Sequence, residues 1–588
     1  RTASSVRVSR PGTPGCTWRT SWRRQALPGP AHRDACTALP IGHVCGWAKA
    51  EVAPEAKGRL PWTMLYRLGL IFPVSILVSP VEARDVYPAP IPQSGLVLEV
   101  SEVASLPQAD PGQLPRPTVL TQDPKGRLFS NDLSGPIYLV GDSPPAVEEY
   151  LDLRDYPELG IVSGFHGLQS FAFHPDFYER GAPGFGCFYV FFSSEQTGVA
   201  PDFSSGEETS FHTVLTEWRT AEPGAPVFSP AVPEHPYREV LRINQPFGGH
   251  VGGLIAFNPT VTSAHPDYGN LYVALGDGAQ GGGEADPLEN AENAANPYGA
   301  ILRIDPTGRD SANGRYGLVP ENALAADSDP ATLAEVYCFG LRNPQRFGWD
   351  LVTGRHYIAD IGHDVMEEVN LAGNGFHFGW DLLEGSEVLE GGNLSGLTPP
   401  IAEYDHVNFV TDPQPAKANR AITIGEVARG TCVPGLEGHL LIADFPSGIL
   451  LTLDVAAASV PGGQAGLREF LVHDGDGVPR RFLALINEAR AARGLPATNR
   501  ADVRFGINTP GQILLINKQD GIIRRIEPVH PPRHVISKSE SGEVSVSFQG
   551  ILQRSHDLDT WTTVIPQPES PHRFPPSSLP AFFRSGVP

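Results

Sequence analysis

The sequence predicts an all-β fold, a six-bladed β-propeller with a short C-terminal β-rich tail. Glycine and proline are abundant (63 and 58 of 588 residues), yet hydrophobic residues still make up 40%. This composition indicates many short strands and turns rather than disorder. A unit of strand, tight turn and second apolar strand occurs six times between residues 119 and 528. Such spacing favours radial blades over a sandwich, and six four-stranded blades fit the length.

Each copy of the repeated unit predicts one blade, and the copies follow one another along the chain. In each copy a strand is followed by a turn at Asp/Asn-Pro or at glycine and then by another apolar strand. The segment 480–494 differs, because its apolar spacing and Ala/Leu/Arg content predict a helix that covers a blade edge or rim. The copies are VLTQDPKGRLFSND (119–132), LQSFAFHPDF with GCFYVFFSS (168–194), LIAFNP with NLYVALGDG (254–278), RFGWDLVTGRHYIADIG (346–362), GLEGHLLIADFPSGILLTLD (435–454) and RFGINTPGQILLINKQDGIIRRIEP (504–528).

The two ends of the chain differ from the repeated region. Residues 1–63 are basic and lack periodicity, so we interpret them as disordered upstream sequence from a misplaced gene start; a genuine basic extension is the alternative. Residues 64–83 have the layout of a secretory signal peptide, which predicts a secreted or periplasmic protein without a membrane span in its mature form. The remaining boundaries are a Pro-rich linker (84–98), the propeller (99–528) and the tail (529–588).

Charge and cysteine content narrow the function further. The net charge of -22 excludes nucleic acid as a partner, because phosphate binding needs a basic surface. Downstream of the signal peptide, three cysteines remain: Cys187, Cys338 and Cys432. They allow one disulfide and one free thiol, or three buried thiols, and their spacing fits no zinc site.

His250 is the first candidate for chemistry. It stands in the glycine-rich loop GGHVGG (248–253), where a planar partner can approach the backbone closely, and histidine accepts protons near neutral pH. A hydrogen-bonded structural histidine is the alternative. Downstream, Asp277 lies between two glycines and precedes Glu284, Asp286 and Glu289. We interpret this stretch as a solvated acidic loop, because it lacks the ligand spacing of a calcium-binding EF-hand.

Several motifs in order resemble the glucose/sorbosone dehydrogenase family, the soluble pyrroloquinoline quinone (PQQ) dependent sugar dehydrogenases and their hedgehog-interacting-protein-like relatives. The resemblance spans residues 100–528 and implies a six-bladed propeller. The motifs are GFHGLQSFAFHPDF (164–177), GGHVGGLIAFNP (248–259), LYVALGDG (271–278), AILRIDP (300–306), FGLRNPQRFGWD (339–350), IADIGHDVMEEVN (358–370), FGW (378–380) and FGINTPGQILLINKQDGIIRRI (505–526).

The resemblance implies roles for particular residues. His250 matches the family's general base, which takes a proton from the anomeric hydroxyl of a sugar while hydride passes to PQQ. Arg342 matches the arginine that stabilises negative charge beside the quinone, and Asn343 a neighbouring cofactor contact. Gly362 and His363 match the backbone ligands of a calcium ion. Arg504 stands close to a basic cofactor-binding pair of the family.

This chain departs from the family pattern at five places. Gly249, Phe165 and Ile361 replace polar residues, the family's cofactor-binding lysine falls near Pro446–Ser447, and the late basic pair falls near Ala501–Val503. PQQ carries three carboxylates and needs cationic partners. Other basic residues could take their place: Arg346, Lys417, Arg420 and Arg429.

Two functions follow from the sequence. The first is an exported quinoprotein-type oxidoreductase that oxidises an aldose with PQQ and calcium and passes electrons to an external acceptor. The alternative is a non-catalytic propeller that binds carbohydrate or protein and whose cofactor site is degenerate. His250 and the LRNP motif at 341–344 favour the enzyme, whereas the lost basic residues favour the alternative.

Overall fold

A computed structural model of the chain describes most of residues 86–527 and, beyond them, only strands. All of the described residues belong to one compact unit, Val78–Pro588. The predicted upstream sequence and signal peptide lie outside the described residues. The gaps within 86–527 are 88, 142–146, 163, 165, 208–210, 280–284, 328, 330, 412–419, 431–432, 434 and 509–510.

The regular secondary structure of the described part is almost entirely β. One α-helix, α1 (Phe482–Ala492), confirms the helical spacing of 480–494. Short 3-10 helices span Leu153–Asp155, Pro157–Leu159, Ala323–Ala326 and Gln464–Gly466. The strands are β1 (Gln93–Ser105), β2 (Leu120–Gln122), β3 (Leu128–Asn131), β4 (Pro136–Val140), β5 (Val147–Asp152), β6 (Leu168–Phe173), β7 (Cys187–Ser194), β8 (His212–Arg219), β9 (Tyr237–Asn244), β10 (Ile255–Phe257), β11 (Leu271–Leu275), β12 (Ala300–Ile304), β13 (Val336–Phe339), β14 (Arg346–Trp349), β15 (His356–Asp360), β16 (Met366–Leu371), β17 (Leu383–Glu384), β18 (Glu387–Val388), β19 (Ala402–Asp405), β20 (Ile422–Val427), β21 (His439–Asp444), β22 (Ile449–Asp454), β23 (Leu467–His473), β24 (Val503–Asn508), β25 (Gln512–Asn517), β26 (Ile522–Ile526), β27 (Val535–Lys538), β28 (Val544–Ser547), β29 (Ile551–Ser555), β30 (Thr562–Thr563), β31 (His572–Phe574) and β32 (Phe582–Gly586).

The sheets differ in number from the prediction. Four separate four-stranded sheets are present, formed by β2–β5, β6–β9, β10–β13, and β14–β16 with β19, so the prediction of six separate blades was wrong. The other strands of this region form one eight-stranded sheet in the order β20-β21-β22-β23-β1-β26-β25-β24. It is continuous because β1 pairs on both sides, parallel to β23 and antiparallel to β26.

β1 begins at Gln93, inside the predicted linker 84–98. The linker interpretation fails from this residue onward because alternate side chains of the strand are buried: Leu98 is 1% exposed and Val100 is 3% exposed. The tail contains the predicted strands, which form two three-stranded sheets, β27-β28-β31 and β30-β29-β32.

Hydrophobic clusters join neighbouring strand groups into a closed, propeller-like ring. They connect β2–β5 with β6–β9, and β6–β9 with β10–β13. They continue to β14–β16 and then to β20–β23. Within the eight-stranded sheet, β21–β23 pack with α1 and β24–β26, and a last cluster connects β25 and β26 with β2 and β4. Since the series returns to its first sheet, burial between sheets provides the main stabilisation of the ring.

The first strand of each group faces the axis of the ring. These strands, β2, β6, β10, β14, β20 and β24, are called the inner strands below. Neighbouring inner strands lie very close together: a Cβ atom on Gly425 would stand 2.8 Å from Cβ of Phe505. Across the ring, the Arg346 guanidinium donates to the Thr118 carbonyl over 2.6 Å, which links the start of β14 to the residues before β2.

Cys187 and Cys338 are buried free thiols, so no disulfide joins them, and Cys432 lies outside the described residues. Among the described helices, none has the length and apolar composition needed to cross a membrane.

Candidate functional site

His250 forms a close pair with Asp277 near the N-terminal ends of the inner strands. Nδ1 of His250 lies 2.6 Å from Oδ1 of Asp277, and the two side chains are 8% and 0% exposed. His250 precedes β10 and has φ of 48°, in the left-handed region that non-glycine residues adopt rarely. With Nδ1–H donated to the carboxylate, the Nε2 lone pair is left to accept a proton.

Asp277 is held from several directions. Oδ2 accepts from Nε1 of Trp380 over 2.9 Å, and Oδ1 also accepts from the Ala279 amide over 2.8 Å. The Asp277 amide donates to the Arg342 carbonyl over 2.8 Å. The interpretation of this stretch as a solvated acidic loop was therefore wrong for Asp277, because these donors replace water. No local sequence pattern reveals this pairing, since Asp277 lies 27 positions after His250 and two strands, β10 and β11, come between them.

Arg342 also contacts Trp380. Its guanidinium stands 5.4 Å from the centre of the Trp380 ring, and the side chain is buried. Burial and then the positive charge of Arg342 lower the pKa of His250, and Asp277 opposes them. His250 therefore stays neutral, and able to accept a proton, to lower pH than an ordinary histidine. The structure thus brings the predicted base and the predicted arginine together.

The backbone at Arg342 and Asn343 is held by the side chain of Asp360. The amides of Arg342 and Asn343 donate to the Asp360 carboxylate over 2.8 and 2.6 Å. Burial raises the pKa of Asp360 to about 7, although the hydrogen bonds from these two amides lower it. The Asn343 carbonyl accepts from the Gln345 amide over 2.7 Å, so Asn343 shapes the turn toward β14 through its backbone.

The predicted calcium ligands lie in the loop after β15. The Arg342 guanidinium donates to the carbonyls of Ile361 and Gly362 over 3.0 and 2.6 Å. A calcium ion at the Gly362 carbonyl would stand beside this guanidinium, and like charges repel strongly at such range. No described residues form a cluster of three or more His, Cys, Asp or Glu side chains suited to a metal. The arrangement does not fit calcium, and we assign no step to a metal.

The same loop is organised by a residue that the sequence did not single out. Oε1 of Glu384 accepts from the amides of four successive residues, 363–366, over 2.7 to 3.0 Å. The His363 side chain lies near Trp380, with 6.2 Å between ring centres. Its Nε2 is buried, and no described residue hydrogen bonds to it. His363 therefore faces the His250 site, while its amide belongs to the loop scaffold.

A group of cations lies beside this site. Arg504 donates to Oε1 of Gln345 over 2.9 Å and stands 4.0 Å from the centre of the Phe445 ring. Arg346 donates to the carbonyls of Gln345 and Thr118. Neither arginine forms a salt bridge with any described carboxylate. This group, Arg346, Arg504 and Lys518, is called the cation cluster below.

Burial, and then the crowding of positive charge, lowers the pKa values in this group. Burial and then Arg504 lower the pKa of Lys518 to about 7, and burial lowers the pKa of Arg504 to about 10. Burial and then Arg504 lower the pKa of Arg346. His166 lies near Lys518 and stacks on Phe211, with 4.7 Å between ring centres. Such a cluster is suited to a ligand with several negative charges.

The other proposed replacements have different positions. Arg429 pairs with Asp350 over 2.7 Å, in a turn of its sheet. Arg420 stands 4.4 Å from the centre of the Phe409 ring. Phe165 and Lys417 lie outside the described residues. Of the three candidates that the structure describes, only Arg346 joins the cluster. Lys518, in the turn KQDG (518–521), was not predicted from the sequence and completes it.

The fold and the site define an all-β, propeller-like protein with a buried His–Asp–Arg group and a cation cluster near one end of its inner strands. The chain belongs to the Glucose / Sorbosone dehydrogenase family, whose model matches residues 114–470.

Similar proteins include plant and bacterial examples. The HIPL1 and HIPL2 proteins of Arabidopsis thaliana are 28% and 25% identical over 57% and 55% of this chain. They confirm the predicted hedgehog-interacting-like relatives, and the chain spans about half their length (52% and 49%). Among solved structures, the PQQ-bound aldose sugar dehydrogenase of Streptomyces coelicolor is 18% identical (74% of this chain, 100% of that one, TM-score 0.44). The apo aldose sugar dehydrogenase of Escherichia coli is 16% identical (74% and 100%, TM-score 0.47).

Proposed function

We propose that the chain is an exported oxidoreductase that oxidises an aldose at the anomeric carbon and delivers electrons through PQQ to an external acceptor. The observation that carries the proposal is the His250–Asp277 pair, 2.6 Å apart, with Arg342 beside it. Family membership supports the same reaction class. Export is supported by the signal-peptide pattern of residues 64–83.

The donor set of the site fits PQQ. Arg346, Arg504 and Lys518 offer positive charge that no described carboxylate neutralises by a salt bridge, and Nε atoms of Arg342 and Arg504 are buried without a described partner. We propose that the cation cluster holds the carboxylates. When bound, PQQ would supply the acceptor for the hydride of the substrate.

The chain's own residues would handle the proton and the charge. Nε2 of His250 takes the proton of the anomeric hydroxyl, while Asp277 keeps the ring oriented and stabilises the imidazolium that forms. Arg342 stabilises negative charge that develops beside it. Loss of the hydroxyl proton makes the C–H bond of the anomeric carbon a better hydride donor. His250 and Arg342 would therefore assist the same oxidation step. The product would be the lactone, because the substrate would lose the hydroxyl proton to His250 and the C1 hydrogen as a hydride, which carries both electrons.

We also propose that the ring works as six blades. In this interpretation the eight-stranded sheet counts as two, β20–β23 and β24–β26 with β1. The support is that six inner strands surround the axis and that a hydrophobic cluster lies between every neighbouring pair of strand groups.

A non-catalytic propeller that binds carbohydrate or protein is the second candidate. The contact of Arg342 with the Gly362 carbonyl favours it, because the predicted calcium position is taken by a side chain of the protein. Titration with PQQ, with and without calcium, and an aldose assay with an artificial acceptor separate the two. The enzyme requires PQQ absorbance on the protein and turnover; carbohydrate binding without PQQ binding would support the second candidate.

A further inference from the structure

A cavity lies among the inner strands, and the residues of the His250–Asp277–Arg342 group do not line it. Its volume is about 420 Å³, within the range of small-molecule pockets, and residues of all six inner strands line it. Neither His250, Arg342 nor Lys518 is among the lining residues. Several lining residues come after the inner strands in sequence: Pro124 follows β2 and Asn258 follows β10. His250, in contrast, precedes β10.

The walls of this cavity are mostly apolar and aromatic. Phe171, Phe173, Phe347 and Trp349 contribute to the lining and are 1% to 6% exposed. They are held by the rigid inner strands rather than by long loops, so the shape is largely formed in advance. Aromatic walls favour an apolar ligand and also attract a cation over a ring face.

Two carboxyl groups line the cavity, and they differ in their partners. The Asp123 oxygens accept from the Lys125 amide, from the amide and Nε of Arg127, and from the Tyr178 hydroxyl, over 2.6 to 3.0 Å. Glu426 has no hydrogen bond or ion pair with any described residue. Asp123 is therefore engaged, and Glu426 is available to a ligand.

A backbone irregularity places Glu426 there. The pairing of β20 with β21 shifts register between Ile424 and Val427, so the Gly425–Glu426 step interrupts the regular alternation of the strand. Such bulges redirect a side chain and occur next to binding sites. Burial raises the pKa of Glu426 to about 8, with no described cation to oppose it. A carboxylate in an apolar cavity is costly without a positively charged partner.

We propose that this cavity binds a small apolar monocation, such as a hydrophobic amine, with its ammonium group at the Glu426 carboxylate and its hydrocarbon against the aromatic walls. Arg346 is also among the lining residues, and its positive charge disfavours a ligand cation near it, so the ammonium group is expected at Glu426. This site does not depend on the proposed oxidation.

Isothermal titration calorimetry of the full chain with 4-phenylbutylamine and its neutral analogue 4-phenylbutan-1-ol tests the proposal. The amine is expected to bind at least about tenfold more tightly than the alcohol, since only the amine pairs with a desolvated carboxylate. Glu426→Gln keeps the side-chain volume and is expected to remove this preference. His250→Gln, at the separate site, is the matched control and should leave both affinities unchanged.

Equal affinity of the wild-type protein for the amine and the alcohol would overturn the proposal, as would absence of amine binding. A preference that persists in folded Glu426→Gln would overturn it too. If this variant does not fold, displacement of the amine from the wild-type protein by tetraethylammonium, but not by the alcohol at equal concentration, decides the question in the same way.

Discussion

Oδ1 of Asp277 lies 2.6 Å from Nδ1 of His250, and Trp380 donates to the other carboxylate oxygen. This pairing fixes which nitrogen of the imidazole carries a proton. Replacing Asp277 by asparagine would present an amide N–H to Nδ1, so the proton would move to Nε2 and the base would be lost. We expect Asp277→Asn to lower kcat at least about a hundredfold with little change in KM. Exposed Asp155→Asn is the control, and a loss of less than about threefold in Asp277→Asn would contradict this role.

The pH profile tests the charge beside His250. Because the pKa of His250 is lowered and the neutral form is the base, activity is retained as pH falls until that lowered value is reached. The acid limb of kcat/KM is expected below the ordinary 6.5. Arg342→Gln removes one cause of the shift, so its limb should move to higher pH. A limb at or above 6.5 in the wild-type protein would show that the buried pair does not act as described.

Lys518 should have opposite effects on stability and on binding. In the protein without cofactor it is a crowded cation, so Lys518→Met is expected to raise the free energy of unfolding at pH 7 by at least about 1 kcal/mol. The same change removes a partner for carboxylates and should weaken PQQ binding at least about tenfold. Exposed Lys125→Met is the control. Fluorescence titration measures the affinity for PQQ, and chemical denaturation at low salt measures the free energy of unfolding. If Lys518→Met raised both quantities or lowered both, the cation-cluster interpretation would be contradicted.

His356 gives the core a dependence on pH. Its ring is stacked on Trp349, both of its nitrogens lack described partners, and burial lowers its pKa to about 3. Between about pH 6.5 and 3 the unfolded chain binds this proton and the folded chain does not, so stability falls as pH falls. The wild-type protein should lose about 1.4 kcal/mol per pH unit more than His356→Phe in that range. His235→Phe, at an exposed position, is the control and should leave the dependence of the free energy of unfolding on pH unchanged. Equal pH dependence for His356→Phe and the wild-type protein would contradict this role of His356.

Close approach of the inner strands predicts a glycine requirement. A Cβ at Gly425 would stand 2.8 Å from Cβ of Phe505, whereas a Cβ at Gly198 would meet no atom within 4 Å. Gly425→Ala is expected to destabilise the protein by about 1–3 kcal/mol, the usual cost of overpacking, and Gly198→Ala by little. Urea denaturation checks both. Equal stabilities would mean that the inner strands can separate at no cost.

The sequence contains enough to predict the fold class, the helix at Phe482–Ala492 and a meeting of His250 with Arg342, because apolar periodicity and family motifs are local patterns. It does not reveal long-range pairing. Asp277 was misjudged because three acidic residues follow it in sequence, and only the fold shows that Trp380 and His250 take the place of water around its carboxylate. Residues 93–98, the first part of β1, were assigned to a linker because prolines immediately precede a strand that joins two halves of a sheet.

The most direct test is steady-state aldose oxidation by PQQ-loaded protein, with wild type and His250→Gln compared at equal PQQ occupancy. Our account predicts turnover by the wild-type protein and a kcat at least about a hundredfold lower for His250→Gln, with PQQ absorbance retained in both. Absence of wild-type turnover at full PQQ occupancy, or similar rates for the two proteins, would contradict it.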